Sequence, residues 1–575
     1  MTMEDIAPDG SSENANEAQI RAEVRQQLVG PGGPFEITTE EVLGERLQVF
    51  KNRAGSLREL LVQSALHDQK EYVVHGDRRI RYADHVRLVA SVAQALATNH
   101  GIGKGDRVAI LAANCPEWIL TFWAATSLGA VVCALNGWWT AREIQYGVEH
   151  TGCKLLVGDR KRLSRVAEID LGVPILEIES QFAALEQFAP DAELPSTPIR
   201  EDDPALILFT SGTTGKPKGA VVSHRALIGF VQVNSMQGLE RIIVENKLGN
   251  LPSGEAPPPA ALITAPLFHL SGLYTGVIMM LAAGAKTVYR SGRFDPEDVL
   301  RLIEKESITI WSALGSMGPQ VISHPTLDQH DLSSMRNIGF GGAPTSPALQ
   351  EKMRKAFPNS SKNIGLGYGL SESGGLGASI GGRELELKPT STGRASITGE
   401  IEIRDDDNKS VADGVYGEIH LRSPYLMIEY WNNPDATSET LKPGRWLATG
   451  DIGCLEDGYL FINSRARDLI LRAAENVYPV EIEHRLDAHP DVAESAVIGV
   501  DHDLLGQEVK AVVVPRAGVS ELDTDALASW VGEVLAPFKV PSLWTIRAEP
   551  LPRNASGKVL KTVLTGETEN DLIDE

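Results

Sequence analysis

Leu206-Ile-Leu-Phe-Thr-Ser-Gly-Thr-Thr-Gly-Lys-Pro-Lys-Gly219 is an apolar strand running into a loop of hydroxyls, glycines and two lysines. Glycines let backbone N–H groups come close to an anion, the hydroxyls donate, and Lys216 and Lys218 supply charge. The loop therefore predicts a phosphate cradle. It is not a Walker loop: Pro217 follows Lys216 where Ser or Thr would stand, and the glycine spacing differs.

Around this stretch the pattern alternates between helix and strand. Val86, Val89, Ala93 and Leu96 share one helical face, Gly101 to Asp106 turns, Arg107 to Leu111 reads as a strand and Glu117 to Leu128 as a helix. Such alternation predicts an α/β layered domain. Between Gln237 and Ala260 the pattern lapses into Leu251-Pro-Ser-Gly-Glu-Ala-Pro-Pro-Pro-Ala260, a predicted surface loop. From Gly393 to Ile462 short alternating runs, Gly399 to Arg404 and Gly417 to Arg422 among them, predict an antiparallel unit. Past Arg467 the pattern restarts, with a helix at Val480 to Leu486 and strands near Val497 and Val512. The expected divisions are a disordered acidic segment (1–30), a large domain (31–466), a small C-terminal domain (467–565) and an acidic tail (566–575).

Lys plus Arg number 54 against 77 Asp plus Glu in 575 residues, a net charge of −23 that argues against nucleic acid as a partner. Cys115, Cys133, Cys153 and Cys454 form no disulfide framework or metal-ligand spacing, which predicts a reducing, cytoplasmic setting. Glu4, Asp5, Asp9, Glu13 and Glu17 precede the first base, Arg21, unlike a secretory signal. Ala256 to Ala285 lacks charge, but its prolines, Gly272, Gly276 and polar residues predict a strand, a loop and a buried helix instead of a membrane span.

Further motifs follow in order: Pro266-Leu-Phe-His-Leu-Ser-Gly272, Gly341-Gly-Ala-Pro344, Tyr368-Gly-Leu-Ser-Glu-Ser373 and Thr449-Gly-Asp451. Then come Ser464-Arg-Ala-Arg-Asp-Leu-Ile-Leu-Arg472, Glu475-Asn-Val-Tyr-Pro-Val-Glu-Ile-Glu483 and Pro552-Arg-Asn-Ala-Ser-Gly-Lys558. With the phosphate loop, this series resembles the adenylate-forming enzymes: acyl-CoA synthetases, peptide-synthetase adenylation domains and firefly-type luciferases. Within that superfamily it resembles medium- and long-chain fatty acyl-CoA synthetases. The resemblance runs from about residue 60 to residue 561. It implies an α/β fold: a large N-terminal AMP-binding domain of layered mixed sheets with helices and a small antiparallel β unit, then a small mobile α+β C-terminal domain.

The resemblance also implies the site. Thr210, Ser211, Gly212, Thr213, Thr214, Gly215, Lys216, Lys218 and Gly219 would hold the β- and γ-phosphates of ATP, and Glu372 with Thr214 the Mg²⁺. Gly342, Ala343, Pro344 and Tyr368 would form the adenine slot, flanked by Gly369 and Ser371. Asp451 would accept from the ribose hydroxyls, with Arg465 donating nearby. Lys558 would bridge the attacking carboxylate and the α-phosphate. His269 would gate the acyl pocket, to which Gly315, Gly367 and Gly374 belong, and Arg467 would be the hinge. Coenzyme A is the implied co-substrate.

One departure stands out. Ala473-Ala474 occupies the place where similar synthetases carry two glycines beside the pantetheine channel, so adenylation is better supported than thioester formation. By the resemblance, Ala313-Leu-Gly-Ser-Met-Gly318 and Ser371 to Gly382 would border the acyl pocket, and their small residues would leave room for a medium, long or bulky alicyclic acid, such as a steroid side chain. The main expectation is a CoA ligase releasing AMP and pyrophosphate. The alternatives are transfer to a carrier-protein thiol or other acceptor, and a silent nucleotide-binding protein. A homodimer and weak membrane association are compatible with the resemblance. Asn136-Gly-Trp-Trp139 receives no role.

Overall fold

Four apolar residues in a row, Ala205 to Leu208, are each at most 1% exposed, because their strand is covered on both faces. In the computed structural model, which describes residues 10–210, 216–250, 257–290, 292–342, 345–465, 468–472, 475–502, 504–519, 521–554 and 557–567, that strand is Pro204–Thr210. It lies between Val131–Ala134, to which it is parallel, and Lys218–Ser223, with which it forms an antiparallel pair. Arg107–Leu111, Leu155–Gly158 and Ile175–Glu177 complete this six-stranded sheet. Helices Tyr82–His100 and Pro116–Ser127 cover it, burying Val89, Leu96, Trp118, Phe122 and Trp123 in one core. Gly101 ends the first of them in the left-handed conformation at φ 61°.

A second sheet has nine strands. Within it Glu71–His75, Lys286–Tyr289, Ala260–Ile263, Ile310–Ser312, Asn337–Gly341 and Ile364–Tyr368 run parallel, each to its neighbour. Parallel strands deliver all their carboxyl ends to one edge, where a doubly wound sheet holds ligands. The uncharged stretch resolves into the Ala260–Ile263 strand, a turn at Pro266 to His269 and a buried π-helical stretch, Leu273–Met279. Among the described residues no helix is long and apolar enough to cross a membrane.

Two expectations fail here. Residues 1–30 were expected to be disordered, yet Gly10–Val29 is a helix, and Val24 and Leu28 bury against Met236 and Val244. Those partners lie on helix His224–Lys247, which continues ten residues past Gln237, where a loop was expected to begin. Each helix turns apolar side chains toward the other, and the contact covers both. Arg25 closes the contact with a bidentate pair to Glu240, 2.9 Å for each bond, and the Glu240 side chain is 3% exposed.

Glu400–Arg404, Gly417–Arg422, Trp446–Glu456 and Tyr459–Arg465 form the expected antiparallel unit. Beyond it, Val492–His502 and Gly506–Pro515 pair antiparallel beneath helices Pro479–Asp487 and Thr524–Gly532. Ile482, Leu486, Val497, Val509 and Val531 give this C-terminal domain a core of its own.

Candidate active site

The carboxyl edge of the nine-stranded sheet collects motifs far apart in sequence. Ile310–Ser312, Asn337–Gly341 and Ile364–Tyr368 are in register, Ser312 opposite Gly339 and Gly341 opposite Gly367. Their ends therefore set the Ala313 to Gly318 segment, Gly342 and Tyr368 side by side. Gly342 turns the chain at φ 73°. The Tyr368 hydroxyl donates to Asp451 Oδ2 at 2.7 Å, joining this edge to the antiparallel unit. Asp451 is 6% exposed, its N–H donates to Thr449 Oγ1, and it pairs in register with Arg465. A buried carboxylate beside a phenol can accept from vicinal hydroxyls.

Glu372 sits in the tight turn after Tyr368, and its carbonyl accepts from Met427 N–H at 2.8 Å. Its Oε1 accepts from the Tyr430 hydroxyl at 2.6 Å, leaving the second oxygen for another ligand. Burial and, after it, the negative charge of Glu372 push the Tyr430 phenol well above its ordinary range. Tyr430 in turn faces Lys218, whose Nζ lies 5.2 Å from the ring centroid. Carboxylate, phenol and ammonium thus link the Glu372 turn to the end of the phosphate loop. Gly374, at φ 63°, and Gly369 both leave no room for a Cβ against neighbouring backbone.

His269 follows the Ala260–Ile263 strand. Its N–H donates to the Pro266 carbonyl, and its Nδ1 lies 3.0 Å from Ser271 Oγ. Burial lowers its imidazole to about 4, so it is neutral at neutral pH. Asn114 holds the preceding turn, donating to the Ala265 carbonyl at 2.9 Å and accepting from Leu267 N–H at 2.8 Å. Phe230 and Leu270 close over Gly375, and Phe230 meets Tyr274 edge-on, an uncharged wall.

Lys558 arrives from the other domain. Gly315 (φ 52°) and Gly557 (φ 80°) pack backbone on backbone: a Cβ on Gly315 would lie 2.5 Å from the Gly557 carbonyl oxygen. Lys558 N–H donates to Asn554 Oδ1 and its carbonyl accepts from Asn554 N–H, both at 2.9 Å. Arg553 braces the turn, donating to the Gly557 carbonyl and to Glu494 Oε2, each at 2.8 Å.

The structure thus brings His269, Gly315, Gly342, Gly367, Tyr368, Gly369, Ser371, Glu372, Gly374, Asp451 and the Lys558 turn into one region. Lys218, with its strand partner Thr210 and neighbour Gly219, joins it through Tyr430, while Lys216 lies over the Tyr146 ring. Ser211, Gly212, Thr213, Thr214, Gly215, Ala343, Pro344 and Arg467 lie outside the described residues, as do Ala473 and Ala474 and the side chain of Arg465. Sequence reasoning missed Tyr430, Asn114, Arg553 and Glu494. Only Arg553 carried a signal, its place in the Pro552 to Lys558 motif.

Comparison with known proteins agrees with this geometry. Residues 61–431 match the AMP-binding enzyme family and residues 481–558 the AMP-binding enzyme C-terminal domain. A feruloyl-CoA synthase from Amycolatopsis sp. is 33% identical over 494 residues, 85% of this chain and 94% of that protein. A long-chain-fatty-acid–CoA ligase from Mycobacterium tuberculosis is 32% identical, covering 85% of this chain and 93% of its own. Among solved structures, the o-succinylbenzoate CoA synthetase from Bacillus subtilis, bound to its acyl-adenylate, superposes with a TM-score of 0.73 at 28% identity. That match covers 89% of this chain and 98% of the other.

Proposed function

The chain belongs to the AMP-binding enzyme family of the adenylate-forming superfamily and is an AMP-forming acid–thiol ligase, and we propose that its acid is hydrophobic, a medium- or long-chain fatty acid or a bulky alicyclic one. An acid carboxylate oxygen attacks the α-phosphorus of ATP, the bond to the leaving pyrophosphate breaks, and an acyl-adenylate forms. The thiol of coenzyme A then attacks the acyl carbon, forming the C–S bond as AMP leaves.

The observation that carries the adenylating half is the Gly315–Gly557 contact, which seats the Lys558 turn against the Ala313 to Gly318 segment. In this reading Lys558 offsets the charge shared by carboxylate and α-phosphate, where positioning and neutralisation supply most of the rate. Asp451 accepts from the ribose hydroxyls, Tyr368 and Gly342 border the adenine, and Thr210, Lys216, Lys218 and Gly219 hold phosphate. Arg465 donates beside the ribose, and Arg467 takes up the rotation between the two half-reactions.

Mg²⁺ commonly binds through one or two carboxylates plus substrate phosphates, and Glu372, with one oxygen not taken by Tyr430, fits that donor set. When bound, the ion neutralises phosphate charge. His269 is neutral and has no proton to remove from an acid already ionised, so its part is to shape the acyl entrance. The uncharged wall of Phe230, Leu270 and Tyr274 supports a hydrophobic tail.

Mass-resolved product analysis tests the proposal, using protein, Mg-ATP, coenzyme A and acids from acetate through fatty, aromatic and steroid-side-chain acids. Acyl-CoA and AMP from the fatty or alicyclic acids are expected. A preference for hydroxycinnamic acids would overturn the substrate class. Acyl-adenylate accumulating without acyl-CoA would transfer the second step to another acceptor.

A further inference from the structure

Helix His224–Lys247 crosses one face of the nine-stranded sheet and bonds to it at two strands that are not neighbours. Gln237 Nε2 donates to Ser379 Oγ at 3.2 Å, on strand Ala378–Gly381. The Arg241 guanidinium donates to Asn337 Oδ1 at 3.3 Å, at the start of strand Asn337–Gly341. Strand Ile364–Tyr368 runs between those two, so the helix bridges it. Phe230, Asn234, Gln237 and Arg241 recur at helical spacing and form one stripe toward the sheet.

What the stripe faces is bare. In register, Gly339 opposes Gly365, which opposes Gly381, and Gly341 opposes Gly367, which opposes Ser379. Side chains alternate across a strand, so all six stand on the same face as Asn337, while Ile338, Phe340, Ile364 and Leu366 bury on the other. A Cβ on Gly367 would meet no atom within 4 Å, and one on Gly365 only the Ile380 carbonyl oxygen at 3.7 Å. Neither would reach the helix. Gln237 and Arg241 therefore span an open slot over Ile364–Tyr368.

The slot runs from the acyl entrance to a guanidinium. Phe230, which closes over Gly375 at the entrance, stands eleven helical residues from Arg241, roughly 16 Å at about 1.5 Å per residue. Arg241 uses one of its N–H donors on Asn337 and, among the described residues, has no carboxylate within ion-pair distance. Burial lowers its pKa; the charge of Glu245 works against that shift, and Arg21, itself paired with Glu17, adds to it. A guanidinium withdrawn from water and held by one bond is stabilised by any further acceptor that reaches it.

We propose that this slot is the inner half of the acyl pocket and that Arg241 sets its specificity, selecting an acid whose far end carries an accepting oxygen (a second carboxylate, a keto or a hydroxyl group) in place of a methyl. The inference rests on the acyl pocket proposed above and narrows its substrate class. The middle of the acid lies over the glycines, and its remote oxygen accepts from the guanidinium.

Calorimetric titration of the full chain with dodecanoic acid, its ω-hydroxy analogue and dodecanedioic acid tests it, and none of these needs turnover. The diacid or the hydroxy acid is expected to bind about tenfold tighter than the plain acid. A larger gain for the diacid assigns a carboxylate to the far end, and equal gains a neutral oxygen. In Arg241→Leu the preference should disappear, with the better acid losing about 20-fold, and Arg241→Lys should restore part of it. MgATP affinity, measured alongside, should change by less than about twofold. Gly365→Val probes the slot without touching Arg241: its side chain enters open space and should weaken all three acids about tenfold. A plain acid bound as tightly as both others, a preference that survives Arg241→Leu, or no loss in Gly365→Val would overturn the inference. A chain that shows the preference but exchanges no pyrophosphate into ATP would keep the slot and lose the adenylation reading.

Discussion

The residues proposed to face the nucleotide and the lysine turn are built on opposite principles. Thr210, Gly342 and Tyr368 stand at the ends of strands buried in the core of the large domain, and Asp451 is tied to Tyr368 by a 2.7 Å hydrogen bond. Moving any of them would require moving a sheet. Lys558 stands on a turn of the small domain, and what joins that turn to the acyl segment is a pair of glycines without side chains to interlock. The difference teaches that, in the proposed reading, nucleotide recognition rests on fixed strand ends, while the lysine is carried on the other domain. A residue needed in one half-reaction and in the way during the next is best carried on a surface that adheres weakly.

The sharpest attempt to break this comparison is Lys558→Ala. Pyrophosphate exchange into ATP should fall about 1,000-fold, the scale of losing one preorganised charge-stabilising donor, while thioester formation from ready-made acyl-adenylate persists. Equal loss of both would mean that the lysine is not specific to one arrangement. Gly315→Ala comes next. Its methyl meets the Gly557 carbonyl, so adenylation should fall about 50-fold through misplacement of the turn, with ATP binding by the large domain retained. A parallel loss of ATP affinity would show the two regions to be one unit.

Arg553→Ala should slow adenylation about tenfold by releasing the Gly557 carbonyl and Glu494. Arg553→Lys should recover only part of it, since one ammonium cannot reproduce a guanidinium donating in two directions. ATP affinity measured alongside should not move.

The gentlest test is pH. Burial holds His85 at about 3 and His224 and His269 at about 4, below the ordinary 6.5, so the unfolded large domain binds more protons between those values. Their contribution to stability is full above about 6.5 and is lost as pH falls toward about 4. In the small domain burial raises Asp487 from 3.8 to about 7, so the folded state holds a proton that the unfolded chain releases. That contribution is present at low pH and is lost as pH rises through about 7. Thermal melts of His85→Gln and Asp487→Asn against the parent chain should change the pH slope with opposite signs. Slopes of the same sign would remove the contrast.

The division of the site tracks what was legible in the sequence. Strand-end motifs could be read because a glycine-rich turn after an apolar run has few other uses, as at Leu206 to Gly219. Tyr430 could not, since a tyrosine before Trp431-Asn-Asn-Pro434 looks like a turn aromatic until folding sets it against Glu372 and Lys218. Glu494 was equally silent, because its partner lies 59 residues away. The N-terminal helix was misread for a related reason: composition reports what a segment could do alone, and Gly10–Val29 buries its apolar side chains against the distant Met236 and Val244.

That helix has a practical consequence for anyone shortening the gene. The matched family region starts at residue 61, which invites a cut that discards everything before it. Such a cut would uncover Met236 and Val244, a sticky strip prone to drive clumping during expression, but it would also return Glu240 to water. Replacing Arg25 alone does the reverse, leaving the strip covered while the enclosed carboxylate keeps only Arg21, at 4.0 Å, as its counter-charge. The tidy single substitution is therefore the harsher edit for each atom removed, and a trimmed protein would need polar replacements at both apolar positions to stay in solution.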